Sequence, residues 1–390
     1  MTQNKIPRSK ENDYTHEAAS ARRDFLKEKT GVTLQHVGQF ATDPQAVSGN
    51  CENFIGMMQV PVGIAGPVLI NGEHAQGLFY VPLATTEGTL VASYSRGMRA
   101  ITECGGIKTT VVDDTMQRSP GYKFADAREA RDFGQWLDDN FEQIKAEADS
   151  TTSVGKLILI QKWSMNRCLY TRFNFTTGDA AGQNMVSKAT DKACKWIAKN
   201  YPGEILDYTF NSNTETDKKH SHMHMLHSRG KRVIAELVLK KEVMDSMLRT
   251  TAQRLMNARN FSNVGAALSL PAYNGPHSAN GIASLFLATG QDEANVVESH
   301  AGNVYAEALP NGDLYWSVTL PAIIVATFGG GTGLPAQREC LELMDCYGKG
   351  KAKKLAEIVA ATVVAGDISI SSAAQADEFV KSHEKYGRNR

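Results

Sequence analysis

KLILIQKWSMNRCLYTRFNF, Lys156–Phe175, decides the fold. It reads as two strands, Lys156–Trp163 and Leu169–Phe175, rich in β-branched and aromatic residues around a short polar turn. Upstream, Ala125–Ala148 is helical, with Trp136, Leu137, Phe141 and Ile144 at helical spacing. Downstream, Gly182–Tyr201 reads as a helix and Glu204–Phe210 as a strand. A helix, two strands, a helix and a strand within about 90 residues fit a small α+β sandwich of the split βαβ, ferredoxin-like kind. The expectation is a small domain at 120–211, inserted in a larger one built from 51–119 and 212–390. A polar segment at 1–50, with Glu17–Lys29 its best helix, leads in.

In the larger part, Glu52–Gly72 is rich in Gly, Pro and β-branched residues and reads as loop and short strands. Val81–Gly106 becomes a buried helix after Glu87, with Thr85 or Thr86 as its cap. Arg232–Leu239 is a strand, and Val243 to Arg259 a helix. Leu314–Phe328 is a strand ending in GGGTG, and Ala352–His383 is two helices joined near Gly366.

The 390 residues carry 42 Lys+Arg and 42 Asp+Glu, so no bulk field points to nucleic acid or an anionic membrane. The six cysteines form no CxxC pair, which argues against a zinc knuckle or a disulfide framework. The N-terminus lacks the apolar core of a signal peptide, and the longest apolar run, near Leu320–Phe328, is too short for a bilayer. A cytoplasmic protein is the expectation.

Several stretches carry chemistry. TDKKHSHMHMLHSRGKR, Thr216–Arg232, holds four histidines, and alternation in a strand would put His220, His222 and His224 on one face. Lys218 and Lys219 beside them disfavour a cation, and no metal is expected; His227 completes a solvated, histidine-rich loop. GDAAGQN, Gly178–Asn184, sits between a strand and a helix, where backbone N–H groups favour an anion; Asp179 reads alternatively as the helix cap. GGGTG, Gly329–Gly333, offers a second glycine turn without the GK[ST] of a P-loop. Glu87 stands in an apolar stretch that would disfavour its charged form.

Together these stretches resemble the hydroxymethylglutaryl-CoA (HMG-CoA) reductase family. The resemblance rests on ENFIGMMQVPVGIAGP, PLATTEGTLVASYSRGMRAI, GDAAGQNMVSK, TDKK, YNGPHSANGIASLFLATGQD, TFGGGTGLP and VKSH, in the family's order from Glu52 to His383. It implies reduction of HMG-CoA to mevalonate and CoA with two NADPH, NADH being the alternative cofactor. The ATTEG form resembles the first class of the family, and the implied fold is a large domain around a long central helix.

Reducing a thioester to an alcohol builds up an oxyanion, which a fixed cation stabilises. By the family's pattern Lys218 is that cation. Asp292 tunes it, Glu87 is the acid for the second reduction, and His383 protonates the departing thiolate. The same pattern implies Arg118 at the substrate carboxylate, with Asn211 (where the family has serine), Asp217, Lys219 and Asn280 around the substrate. It implies Ser93, Arg96, Arg99 and Arg249 at CoA, and Asp179, Ala181, Gly182, Gln183, Asn184, Gly330 and Gly331 at the dinucleotide. The active site is implied to lie between subunits, hence at least a dimer. Oxidation of mevalonate with NAD⁺, or a non-catalytic ligand- or metal-binding role on the same scaffold, are the competing readings.

Overall fold

The protein is described by a computed structural model covering residues 4–376. Helix α1 (His16–Thr30) starts where the Thr15 hydroxyl accepts the Ala18 amide and stops at left-handed Gly31. Buried Arg22 on this helix donates to the carbonyls of Pro7, Asp13 and Phe54, which fastens the N-terminal segment. Strands β1 (Val62–Asn71) and β2 (Gln76–Ala84) form an antiparallel pair, longer than the short strands expected there. Helix α2 (Leu90–Glu103) begins three residues after Glu87, not around it. Thr85 does cap, but it accepts the Glu87 amide in a turn ahead of the helix. Strand β3 (Lys108–Arg118) follows.

The next unit comprises β4 (Gly121–Lys123), α3 (Ala127–Asp139), α4 (Phe141–Asp149), β5 (Leu157–Met165), β6 (Cys168–Phe175), α5 (Gln183–Asn200) and β7 (Asp207–Thr209). The strand order is β7-β4-β6-β5 with every neighbour antiparallel, the split βαβ arrangement. Its core packs Phe124, Phe133, Leu137, Ile144, Phe173 and Ile197. The single helix expected over 125–148 is two. The Asn140 side chain takes the Trp136 carbonyl at 2.9 Å, competing with helix propagation. The sheet does not stop at residue 119/120: Met116–Arg118 of β3 pair with β6, while the rest of β3 pairs onward into the larger core.

The remaining elements are α6 (His222–Leu226), β8 (Gly230–Leu239), α7 (Lys241–Val243), α8 (Ala252–Ser269), α9 (Ser278–Thr289), α10 (Val296–Ser299), β9 (Asn303–Ala308), β10 (Leu314–Ile323), α11 (Pro335–Leu343) and α12 (Ala352–Gln375). The histidine stretch is therefore a short helix capped by Ser221, so the strand alternation assigned to His220, His222 and His224 does not apply. The helix expected over 243–259 is interrupted. A π turn over Met244–Leu248 ends at left-handed Arg249, and Thr251 caps the fresh start of α8.

The two helices expected around Gly366 are one. A Cβ on Gly366 would lie 2.5 Å from the Tyr94 ring, so this glycine admits a neighbour and does not break the helix. By length and composition α12 would pass for a membrane span, but 89% of its apolar window is buried inside the protein. It is the central core helix, packed against α2, α9, β8 and β10.

Asp367 of α12 is fully buried and accepts the Tyr273 hydroxyl. Burial pushes its pKa up from 3.8 to about 7, against the pull of Tyr273, the His277 amide and Arg259. The folded state thus holds a proton that the unfolded chain releases near pH 4. That contribution to stability is present in acid and is lost as pH rises through 4 to 7, a few kcal/mol in order of magnitude. Asp367→Asn, which keeps the shape and cannot ionise, is expected to lose less Tm than wild type between pH 5 and pH 8. Parallel pH profiles of Tm would refute the assignment.

Candidate active site

The loop between β7 and α6 carries Asp217, Lys218 and Lys219. Asn213, Thr216 and Lys218 all sit at positive φ, 70°, 56° and 56°, so the loop is held from outside rather than by its own preference. The Lys218 ammonium pairs with Asp292 at 2.8 Å. Asp292 is itself oriented by the Ala294 amide, which it accepts at the start of a 3₁₀ turn. The hydrogen bond that Lys218 donates to Asp292 keeps the Lys218 pKa above the ordinary lysine range despite partial burial.

Beneath Lys218 lies a charged network. Asp217 faces Arg118 at 3.0 Å and Arg229 at 2.5 Å, and accepts from the Gln183 amide at 3.3 Å. Burial alone would raise the Asp217 pKa, but Arg229 and Arg118 hold it below the usual value. Arg229 also donates to both oxygens of Glu298, at 3.1 and 3.3 Å, and both side chains are fully buried. Burial lifts Glu298 to about 7 in spite of Arg229. Arg118, expected at a substrate carboxylate, is engaged by Asp217, the Ser187 hydroxyl at 2.7 Å and the Gln183 carbonyl. Lys219 is exposed and donates to the Asp217 carbonyl, and Asn211 is exposed on the loop's approach.

Glu87 pairs with Asn280, whose amide nitrogen is 3.4 Å from both carboxylate oxygens. Among the described residues Glu87 lacks the apolar enclosure expected for it: it is exposed, because its turn lies outside the helix that would have buried it.

The two glycine turns converge. A cleft of about 430 Å³ is lined by Ala181, Gly182, Gln183, Asn184, Gly330 and Gly331, with Asp292 also on its wall. The second turn also lies against the end of α9: a Cβ on Gly290 would lie 2.3 Å from the Gly331 carbonyl. Helix α5 opens here behind left-handed Gly182 with no side-chain cap, so its first-turn amides are free of a capping side chain and suit an anion. A Cβ on Gly330 would meet nothing, leaving room over that turn. The cleft therefore fits the phosphate-bearing dinucleotide that the sequence implied. Asp179 does not cap α5. Its oxygens accept the amides of Gly350 and Ala352 at 2.7 and 3.2 Å, capping α12 and fixing the turn to the central helix.

On α2, Ser93 meets the Ser369 hydroxyl at 3.0 Å, and Arg96 reaches Ser369 at 3.1 Å and Ser372 at 3.3 Å. Arg99 is exposed on the same helix. Arg249 ends the π turn. His383 lies outside the described residues.

The histidines do not act as one group. His224 is buried, its Nε2 meets the Thr216 hydroxyl, and burial, then Arg229, lowers its pKa to about 4, so a neutral imidazole props the loop. His227 Nδ1 meets Gln161 at 2.9 Å and stands edge-on to Trp163. Sequence reasoning missed Arg229 and Glu298; the only signal was two charged residues, in SRGKR and VVES, flanked by apolar strand and helix patterns.

The profile of the hydroxymethylglutaryl-coenzyme A reductase family matches residues 18–388. The chain is 44% identical over 377 residues to the 3-hydroxy-3-methylglutaryl-coenzyme A reductase of Methanocaldococcus jannaschii, covering 95% of this chain and 93% of that one. It is 43% identical over 390 residues to the protein of the same name from Aeropyrum pernix, covering 97% and 91%. Among solved structures, the 3-hydroxy-3-methylglutaryl-coenzyme A reductase of Streptococcus pneumoniae superposes with a TM-score of 0.69 at 18% identity, covering 91% of this chain and 96% of that one. A class II enzyme from that organism, described as bound to NADPH in open conformations, gives a TM-score of 0.67 at 21% identity, covering 85% and 79%.

Proposed function

The chain belongs to the hydroxymethylglutaryl-coenzyme A reductase family, and from that premise we propose that it reduces (S)-HMG-CoA to (R)-mevalonate and CoA with two NADPH. The observation that carries this reading is the 2.8 Å pair of Lys218 with Asp292, which stands on the wall of the cleft that both glycine turns line.

NADPH, when bound, supplies hydride. Ala181, Gly182, Gln183, Asn184, Gly330 and Gly331 would hold it, and Asp179 keeps their turn in place. The Lys218 ammonium stabilises the oxygen on which negative charge develops. Asp292 aims it and keeps it protonated. Glu87, oriented by Asn280, delivers the proton to the aldehyde oxygen. His383 protonates the CoA thiolate. Ser93, Arg96, Arg99 and Arg249 serve CoA. Arg118, Asn211, Asp217 and Lys219 serve the acyl group, with Arg118 and Asp217 sharing their charge until substrate competes for it.

The enzyme is a class I reductase, cytoplasmic and at least dimeric. The 120–211 unit is its cofactor domain, 51–119 with 212–390 its substrate domain, and 1–50 a helical lead-in. Two features support a dimer. Glu87, the proposed acid, is exposed in the single chain, so a second subunit would supply its apolar enclosure. The β1–β2 pair also presents Val62, Ile64, Leu78 and Tyr80 to solvent, each at least half exposed.

Following cofactor absorbance with limiting HMG-CoA tests the reaction. Two NADPH should be oxidised per HMG-CoA, with NADH slower in parallel. A folded protein that oxidises neither cofactor would end this reading.

A further inference from the structure

We propose that Glu298 is the positioning residue of Lys218, fixing the lysine by its backbone while Asp292 fixes it by its ammonium. The inference rests on Lys218 being the catalytic cation.

Lys218 is a long, flexible side chain on a loop with three non-glycine residues at positive φ. Each such residue costs of order 1 kcal/mol, so the loop needs external restraint. The restraint at Lys218 is specific: its amide donates to Glu298 Oε1. Glu298 sits on α10, fully buried, with Arg229 Nε on both of its oxygens. Arg229 also holds Asp217, the residue before Lys218. The two restraints on Lys218 therefore come from one short segment. Asp292 starts its 3₁₀ turn and Glu298 lies in the helix that immediately follows. A single rigid piece sets both ends of the lysine, which turns a flexible ammonium into a pre-aimed one.

A role in positioning and a role in charge balance predict opposite orders for two variants. Glu298→Gln keeps the reach and the acceptor for the Lys218 amide but removes the charge facing Arg229. Glu298→Asp keeps the charge but draws the oxygen back by about one C–C bond, ~1.5 Å. The expected result is kcat within about threefold of wild type for Glu298→Gln. For Glu298→Asp, kcat should fall about 10- to 100-fold, with the KM values for HMG-CoA and NADPH changed less than threefold.

The reverse order, wild-type kcat in Glu298→Asp, or a loss above tenfold in Glu298→Gln would each overturn the proposal. Should Glu298→Asp fail to fold, Glu298→Gln decides alone: near-normal turnover supports the proposal, and failure to fold or a loss above tenfold overturns it. Lys218→Ala measured beside them separates the two levels. If that variant retains turnover, the reading of Lys218 itself fails. If it is inactive while Glu298→Asp turns over normally, only the positioning role fails.

Discussion

Lys218→Ala is expected to lower kcat by about 10²- to 10³-fold while leaving Tm within a few degrees of wild type. Both halves follow from where the residue sits. Its side chain is 46% exposed and its partner Asp292 37%, so the ion pair is a surface pair worth ~1 kcal/mol or less to stability. The same ammonium, in its proposed role facing a developing oxyanion, is worth far more. Removing one such donor typically costs about 3–4 kcal/mol of transition-state stabilisation. The KM for NADPH should hardly move, because the amides of the α5 turn are untouched. Activity within tenfold of wild type, or a loss of Tm large enough to explain the inactivity, would remove Lys218 from the role given to it. The variant also answers whether the histidine-rich stretch matters for its histidines, since all four remain in place.

The same contrast explains which features could be read in the sequence. The small unit was legible because its strands and helices carry their own periodicity, and Trp136, Phe141, Phe173 and Ile197 announce a core without outside help. Where the expectation failed, a partner distant in sequence decided the outcome. Gly366 looked like a joint and proved to be the seat of Tyr94, 272 residues earlier. Asp179 looked like the cap of the next helix and caps one that starts 173 residues later. Glu298 and Arg229, 69 residues apart, leave only a faint local trace, since each reads alone as an ordinary surface charge. The motifs of the candidate site were legible for a different reason. Gly182, Gly330, Lys218 and Asp292 form a pattern across the whole chain, and the fold brings Gly182, Gly330 and Asp292 to one cleft with Lys218 paired to Asp292. Glu87 shows the limit of both routes, because the apolar stretch around it forms strand and helix walls elsewhere and leaves the carboxylate exposed.

Gly97→Ala is expected to destabilise the protein by more than about 3 kcal/mol, against the usual sign for this exchange. A glycine inside an exposed helix costs about 1 kcal/mol relative to alanine, so replacing it normally stabilises. Gly97 is in the middle of α2, buried where that helix crosses α12. A Cβ placed there would lie 1.8 Å from the Ala365 carbonyl oxygen and 2.5 Å from its carbon. These are backbone atoms of a helix buried on nearly every side, so no rotamer change can make room and the helices must separate. Separation would open the core under Tyr94 and Met98. It would also pull Ser93 and Arg96 away from Ser369 and Ser372, so any residual folded protein should bind CoA-bearing substrate poorly. Gly265→Ala supplies the control. Gly265 lies within α8, its added Cβ would meet no atom within 4 Å, and the exchange should be neutral or raise stability by up to ~1 kcal/mol. Urea unfolding of the two variants beside wild type reads the difference directly. Equal, small effects would mean that the α2–α12 crossing yields to a methyl group, and that the close approach at Gly97 does not hold the two helices in register.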